Sequence, residues 1–134
     1  MNDVIESLRA HARGKENAFA AYNHLELETL EEDRAVFRLD VRPESTNDSG
    51  YVHGGLLATL ADNAAGYAAH TDGRLYVTQS CHIDFIGNQT GGSVWAEGRV
   101  VHRGRTVCLT RVEIRGENRR LLATGDLSFF HISD

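Results

Sequence analysis

The chain has 134 residues, 41% of them hydrophobic with a single Pro, and 14 basic against 19 acidic side chains give it a formal charge of −5. That length holds one core, so one domain spanning 1–134 is expected, and the acidic balance argues against a nucleic-acid partner, since phosphate backbones attract basic faces. Two cysteines, Cys81 and Cys108, build no disulfide framework, and no apolar run resembles a signal peptide or a membrane span, so the expectation is a cytoplasmic protein without a membrane partner.

In chain order, residues 2–13 place Val4, Ile5, Leu8 and Ala12 at helical spacing behind an Asn2 or Asp3 cap, which predicts a short amphipathic helix. From His24 to Val41 the pattern alternates, with Ala35, Phe37, Leu39 and Val41 against Val36, Arg38 and Asp40, and reads as a hairpin turning at Glu31–Arg34. A loop from Arg42 to Val52, rich in turn formers, leads to His53-Gly54-Gly55. The run LLATLADNAAGYAAH that follows is alanine-rich and apolar on nearly all sides, the pattern of a buried helix.

After Gly73 everything reads as strand. Leu75, Val77, Cys81, Ile83 and Phe85 alternate with Tyr76, Thr78, Ser80, His82 and Asp84, and further strands are predicted near 93–102, 106–115 and 120–131. Arg103-Gly104 and Gly116-Glu117-Asn118 are the turns between them. The order of elements predicts an α+β arrangement in which an antiparallel sheet curls around one helix, and a single such layer invites pairing with a second copy.

Asp62 is the residue with the most to explain. Its neighbours Leu60, Ala61, Ala64 and Ala65 all favour burial, and a carboxylate among them is a candidate base or nucleophile. The plainer alternative places it on a narrow exposed stripe with Thr59, Asn63 and Gly66. His53-Gly54-Gly55 marks a helix start, where unpaired N–H groups and the positive end of the helix dipole form an oxyanion hole; simple capping is the competing explanation.

The segment from Asn47 through His53-Gly54-Gly55 to Asp62-Asn-Ala-Ala-Gly-Tyr67-Ala resembles the signature of hotdog-fold acyl-CoA thioesterases of the phenylacetate-degradation (PaaI-like) type. The strand Val77–Phe85 and the hairpin Val100-Val-His-Arg-Gly-Arg-Thr-Val are similar to the same family, and the resemblance runs from about Leu25 to Phe130. It implies a hotdog fold, a curved antiparallel sheet wrapped around one long central helix with a short N-terminal helix added, and an active site between two protomers.

The same resemblance assigns roles. The Gly54 N–H would polarise the thioester carbonyl, Asn47 would position the thioester or the water, and His53 would support that loop, with Gly55 and Tyr51 also against the substrate. Asp62 of the other protomer would act as general base or nucleophile. Thr78, or Ser80 if the register slips, would assist the water, and Arg103 and Arg105 at their hairpin turn would meet the CoA phosphates. After Phe85 the chain departs from the family, reading Ile86-Gly87-Asn88-Gln89 where a basic residue and proline are usual.

No histidine spacing suggests a metal, no cofactor is expected, and Gly-x-Ser-x-Gly is absent, which removes serine-esterase chemistry. Both cysteines are expected to pack as small apolar residues. Tyr51, Leu56, Leu57, Tyr67 and Phe85 are candidates to line a tunnel for an aryl-acyl or medium-chain acyl group. A homodimer is expected, assembling further to a homotetramer. Two other functions share the scaffold: a non-catalytic acyl-CoA binding or sensing protein, and a hydratase or dehydratase.

Overall fold

The computed structural model describes residues 2–14 and 18–134. Helix α1 covers Asn2–Arg13 as the spacing predicts, and a five-residue helix α2, Ala18–Tyr22, follows with no apolar periodicity to announce it. Strands β1 (Leu25–Glu31) and β2 (Arg34–Asp40) form the predicted hairpin, closed by Asp33 in the left-handed region at φ 64°. The long helix α3 runs Gly54–His70, and β3 (Leu75–Phe85), β4 (Ser93–Arg103), β5 (Val107–Arg115) and β6 (Leu121–Ser133) complete the chain.

All six strands form one antiparallel sheet in the order β1-β2-β4-β5-β6-β3, wrapped around α3. This is the expected hotdog arrangement. One face of α3 is sealed against the sheet: Leu57, Leu60, Ala61, Ala64, Ala65, Ala68 and Ala69 are at most 1% exposed, opposite Phe37, Leu39, Val94, Ala96 and Ile114. Alanines serve here because small side chains bring helix and sheet close together. The helix is therefore two-faced rather than buried all round, and Thr59, Asp62, Asn63, Gly66, Tyr67 and His70 form a half-buried stripe along its other side.

Strand β3 departs from the predicted alternation. Thr78 pairs with Phe129 and Ser80 with Ser128, adjacent residues of β6, so a bulge at Gln79 reverses the faces. Tyr76 and Thr78 point toward α3, and beyond the bulge Cys81, Ile83 and Phe85 take over that face, while Val77 falls on the opposite side from those three apolar partners. β3 is an edge strand of 11 residues whose side chains are almost all uncovered. A long open edge of this kind is a template for pairing with another strand.

Candidate active site

The bulge decides which hydroxyl meets Asp62. Thr78 Oγ1 donates to Asp62 Oδ1 at 2.7 Å, whereas Ser80 Oγ lies 2.6 Å from Ser128 Oγ on the other face. Simple alternation had left the two exchangeable; one inserted residue separates them. Cys81, on the same face as Thr78, is exposed rather than packed, and after its partial burial the nearby Asp62 charge is what pushes its thiol up. Cys108 is buried, as expected of a small apolar residue.

The start of α3 is built by His53. Its N–H donates to Ser45 O at 2.9 Å, and its Nδ1 accepts from the Gly55 N–H at 2.9 Å as the N-cap. Its carbonyl takes the Leu56 and Leu57 N–H groups. Gly55 is thus committed to the cap, and its missing side chain gives the His53 ring room, since a Cβ there would lie 3.2 Å from Nδ1. Among the described residues no partner meets the Gly54 N–H, which stands half-exposed at the positive end of a 17-residue helix. Of the first-turn donors it alone is unspent.

Asn47 shapes the loop in front. Its Oδ1 accepts from Ser49 N–H at 2.9 Å and Tyr51 N–H at 3.2 Å, which ties the amide across the turn. Tyr51 is exposed beside it. The atypical Ile86–Gln89 segment buttresses this loop: Asn88 Nδ2 donates to Val52 O at 2.9 Å, and Val52 N–H donates to Gln89 O at 3.1 Å. Sequence reading treated that segment only as a departure. Two adjacent amide residues, three and four positions beyond the end of β3, are the available sign that they brace a neighbouring loop. Phe85, before them, lays its ring 3.9 Å from the position a Gly54 Cβ would take, while Leu57, a tunnel candidate, is sealed in the core.

Arg103 is not a surface arginine. Its guanidinium donates to Ala69 O at 2.9 Å and Ala68 O at 3.3 Å, closing the C-terminal end of α3, and pairs with Asp33 at 2.6 Å and Asp72 at 2.8 Å. Both terminal nitrogens are engaged within the chain, at the opposite end of α3 from Gly54, so the arginine expected at the CoA phosphates clamps the helix end. Arg105, by contrast, is exposed.

Burial alone would raise the Asp72 carboxyl, but the Tyr76 hydroxyl at 2.6 Å, the Arg74 backbone and side chain, and Arg103 together hold it at about 2. Because the folded value lies below the ordinary 3.8, its stabilisation is present above pH 4 and is lost as pH falls toward 2. Urea unfolding at pH 6, 4, 3 and 2 should show wild type losing about 2 kcal/mol over that fall relative to Asp72→Asn. Parallel curves for the two proteins would dismiss the clamp as a source of acid sensitivity.

Within one chain, Gly54 and Asp62 are eight helical residues apart, about 12 Å along the axis. One carbonyl cannot touch both. Within the chain the two features therefore stand apart, a donor at one end of α3 and a hydroxyl-bound carboxylate in its middle beside the open β3 edge.

The thioesterase superfamily model matches residues 49–123, the stretch that carries both Gly54 and Asp62. The acyl-coenzyme A thioesterase PaaI of Escherichia coli is 30% identical over 115 residues, covering 85% of this chain and 82% of that protein. The 1,4-dihydroxy-2-naphthoyl-CoA hydrolase of Listeria monocytogenes is 25% identical over 101 residues, 73% of this chain and 82% of that one. The solved structure of the E. coli PaaI protein superimposes with a TM-score of 0.89 at 26% identity, covering 97% of this chain and 96% of that one. On the family match, the identity and the shared architecture together, the chain belongs to the thioesterase superfamily, as a hotdog-fold member of PaaI-like type.

Proposed function

We propose that this thioesterase hydrolyses acyl-CoA thioesters at two equivalent sites formed between paired copies of the chain. The observation that carries the reading is the split between the unspent Gly54 N–H and the Asp62–Thr78 pair, 2.7 Å apart, on a chain whose β3 edge is open. Antiparallel pairing of β3 with the β3 of a second copy lays two α3 helices side by side in opposite directions. The donor end of one helix then approaches the carboxylate of the other.

In such a site the Gly54 N–H of one copy donates to the thioester oxygen as negative charge develops there, helped by the helix dipole. Asn47 Nδ2 orients the thioester, and His53 holds the loop. Asp62 of the other copy takes the proton from the attacking water and returns it to the departing sulfur as the C–S bond breaks, giving the free acid and the CoA thiol; or it attacks the carbonyl carbon itself, expelling CoA as the thiolate, which takes its proton from solvent, and water then hydrolyses the resulting acyl anhydride to the free acid and the restored carboxylate. Thr78 Oγ1 fixes the carboxylate. Arg105 is the arginine of the pair with a side chain free to meet a CoA phosphate.

The assembly extends to a tetramer in this reading. Val77 and Phe130 lie side by side on the sheet face away from α3, 47% and 42% exposed, and apolar surface of that kind favours a second contact between dimers. Two free thiols suit a reducing cytoplasm.

Thiol release from a panel of aryl-acyl and fatty acyl-CoAs tests the activity; binding without release on every substrate would make the chain a sensor instead. Within that assay Thr78→Val should lower kcat about tenfold, the weight of one oriented hydrogen bond, while Ser80→Ala leaves it unchanged. The reverse ranking would place the wrong hydroxyl at the water.

A further inference from the structure

Gly66 occupies the middle of α3, where glycine is the least favourable residue after proline. Packing does not require it: a Cβ there would lie 3.7 Å from the Phe129 ring, ordinary contact, and its φ is not in the left-handed region. What the missing side chain does is open a cavity. A space of about 260 Å³ starts at Asp62 and Thr78 and runs along α3 past Gly66 to Tyr67 and His70, with Phe129 on its floor. Tyr67 and His70 also wall a second space of about 410 Å³, closed by Ser7, Leu8 and His11 of α1 and by Leu75.

The walls are largely apolar, the exceptions beyond Asp62 and Thr78 at the mouth including Asn63, whose buried Nδ2 has no partner among the described residues. His70 Nδ1 donates to Gly66 O at 2.7 Å and its Nε2 accepts from the Tyr76 N–H at 3.2 Å, so neither ring nitrogen is left for a ligand. Tyr67, Tyr76, Val77, Phe129, Leu8 and Leu75 supply most of the remaining surface. Asp62, Gly66 and His70 stand at successive turns of one helix face, about 12 Å from first to last. Such a groove suits an elongated alkyl group.

We propose that Gly66 is a specificity-determining residue: the gap it leaves admits a medium-chain fatty acyl group, which runs from the thioester at Asp62 toward α1, and Leu8 with His11 sets the chain length. This rests on the acyl-CoA reading above and adds to it the substrate class and the residues that select it. A short acyl group ends beside Gly66, one helical turn from Asp62. A longer one must pass it.

The test is calorimetric binding of non-hydrolysable butyl, octyl and dodecyl thioethers of CoA to the wild type, Gly66→Ala, Gly66→Leu and Leu8→Trp, with melting temperatures and thiol release from the matching acyl-CoAs measured in parallel. Wild type should bind octyl far tighter than butyl, about fourfold per added methylene. Gly66→Leu should bind butyl as wild type does but lose about tenfold or more for octyl. Gly66→Ala should melt higher than wild type while binding octyl more weakly, and Leu8→Trp should weaken dodecyl alone. Folded Gly66→Leu that binds octyl like wild type overturns the proposal, as does wild-type affinity indifferent to chain length. Chain-length-dependent binding without thiol release from any acyl-CoA would overturn the hydrolytic reading and leave the groove assignment standing.

Discussion

Asp62→Asn should reduce kcat for acyl-CoA hydrolysis by at least about a hundredfold, the lower range of what a positioned acid–base group supplies, with melting temperature and substrate affinity unchanged. The amide fits because Asp62 is half-buried and its donor among the described residues, Thr78 Oγ1, can still give its proton to the Asn oxygen. What disappears is the capacity to take a proton or to attack. The complementary change is Gly54→Pro, which deletes the N–H at the first helical position, where proline is accommodated. His53 before it is already extended at φ −62°, ψ 132°, as a residue preceding proline must be. Loss of that donor should cost about 10²–10³ in kcat. Unfolding and refolding the two variants together then separates a shared site from a site within one chain. A heterodimer would join Asp62 of the Gly54→Pro chain to Gly54 of the Asp62→Asn chain, so the mixture should recover about a quarter of wild-type activity if pairing is random and two-fold. No recovery on mixing would end the two-copy reading.

The sequence made the elements legible because each is local. Alternation in β1 and β2, an alanine-rich run bounded by His-Gly-Gly, and glycine turns between the later strands place the architecture without tertiary information. Asp62 was legible for a related reason, since a carboxylate inside an alanine helix contradicts its neighbours. What stayed hidden depends on register and on distant partners. The Gln79 bulge is set by the pairing of β3 with β6, and no property of Thr78-Gln79-Ser80 announces it, yet it decides that Thr78 and not Ser80 reaches Asp62. Arg103 looked like a turn arginine because its acceptors, the carbonyls of Ala68 and Ala69 and the carboxylates of Asp33 and Asp72, lie 31 or more residues away in sequence. The role of Asn88 and Gln89 under the Asn47–His53 loop is likewise a contact across the fold. The Gly54 N–H became identifiable only after the other donors of that helix turn were each assigned an acceptor.

Gly98→Ala should be the most damaging single-methyl change in the protein. Gly98 sits in β4, between Ala35 of β2 and Val112 of β5, and α3 rests directly on it. A Cβ there would stand 2.7 Å from Ala64 C, Ala64 O and Ala65 N, and those are backbone atoms that no rotamer change can move. The helix could yield only by lifting away, which would strip contacts from Leu57, Leu60 and Ala61 at the same time. The expected loss is about 3 kcal/mol, the upper range for overpacking a core, or roughly 10 °C in Tm. Gly98→Val should fail to fold. Gly91→Ala is the control: its Cβ would meet nothing within 4 Å, and its stability should match wild type. The consequence reaches the site, because Ala64 and Ala65 follow Asp62 within one turn. A helix displaced at that point carries Asp62 away from Thr78, so the folded fraction of Gly98→Ala should also lose kcat, measured at a temperature well below its Tm. Equal melting temperatures for Gly98→Ala and wild type would mean that α3 does not lie against β4 as closely as this, and the position of Asp62 would have to be rebuilt from there.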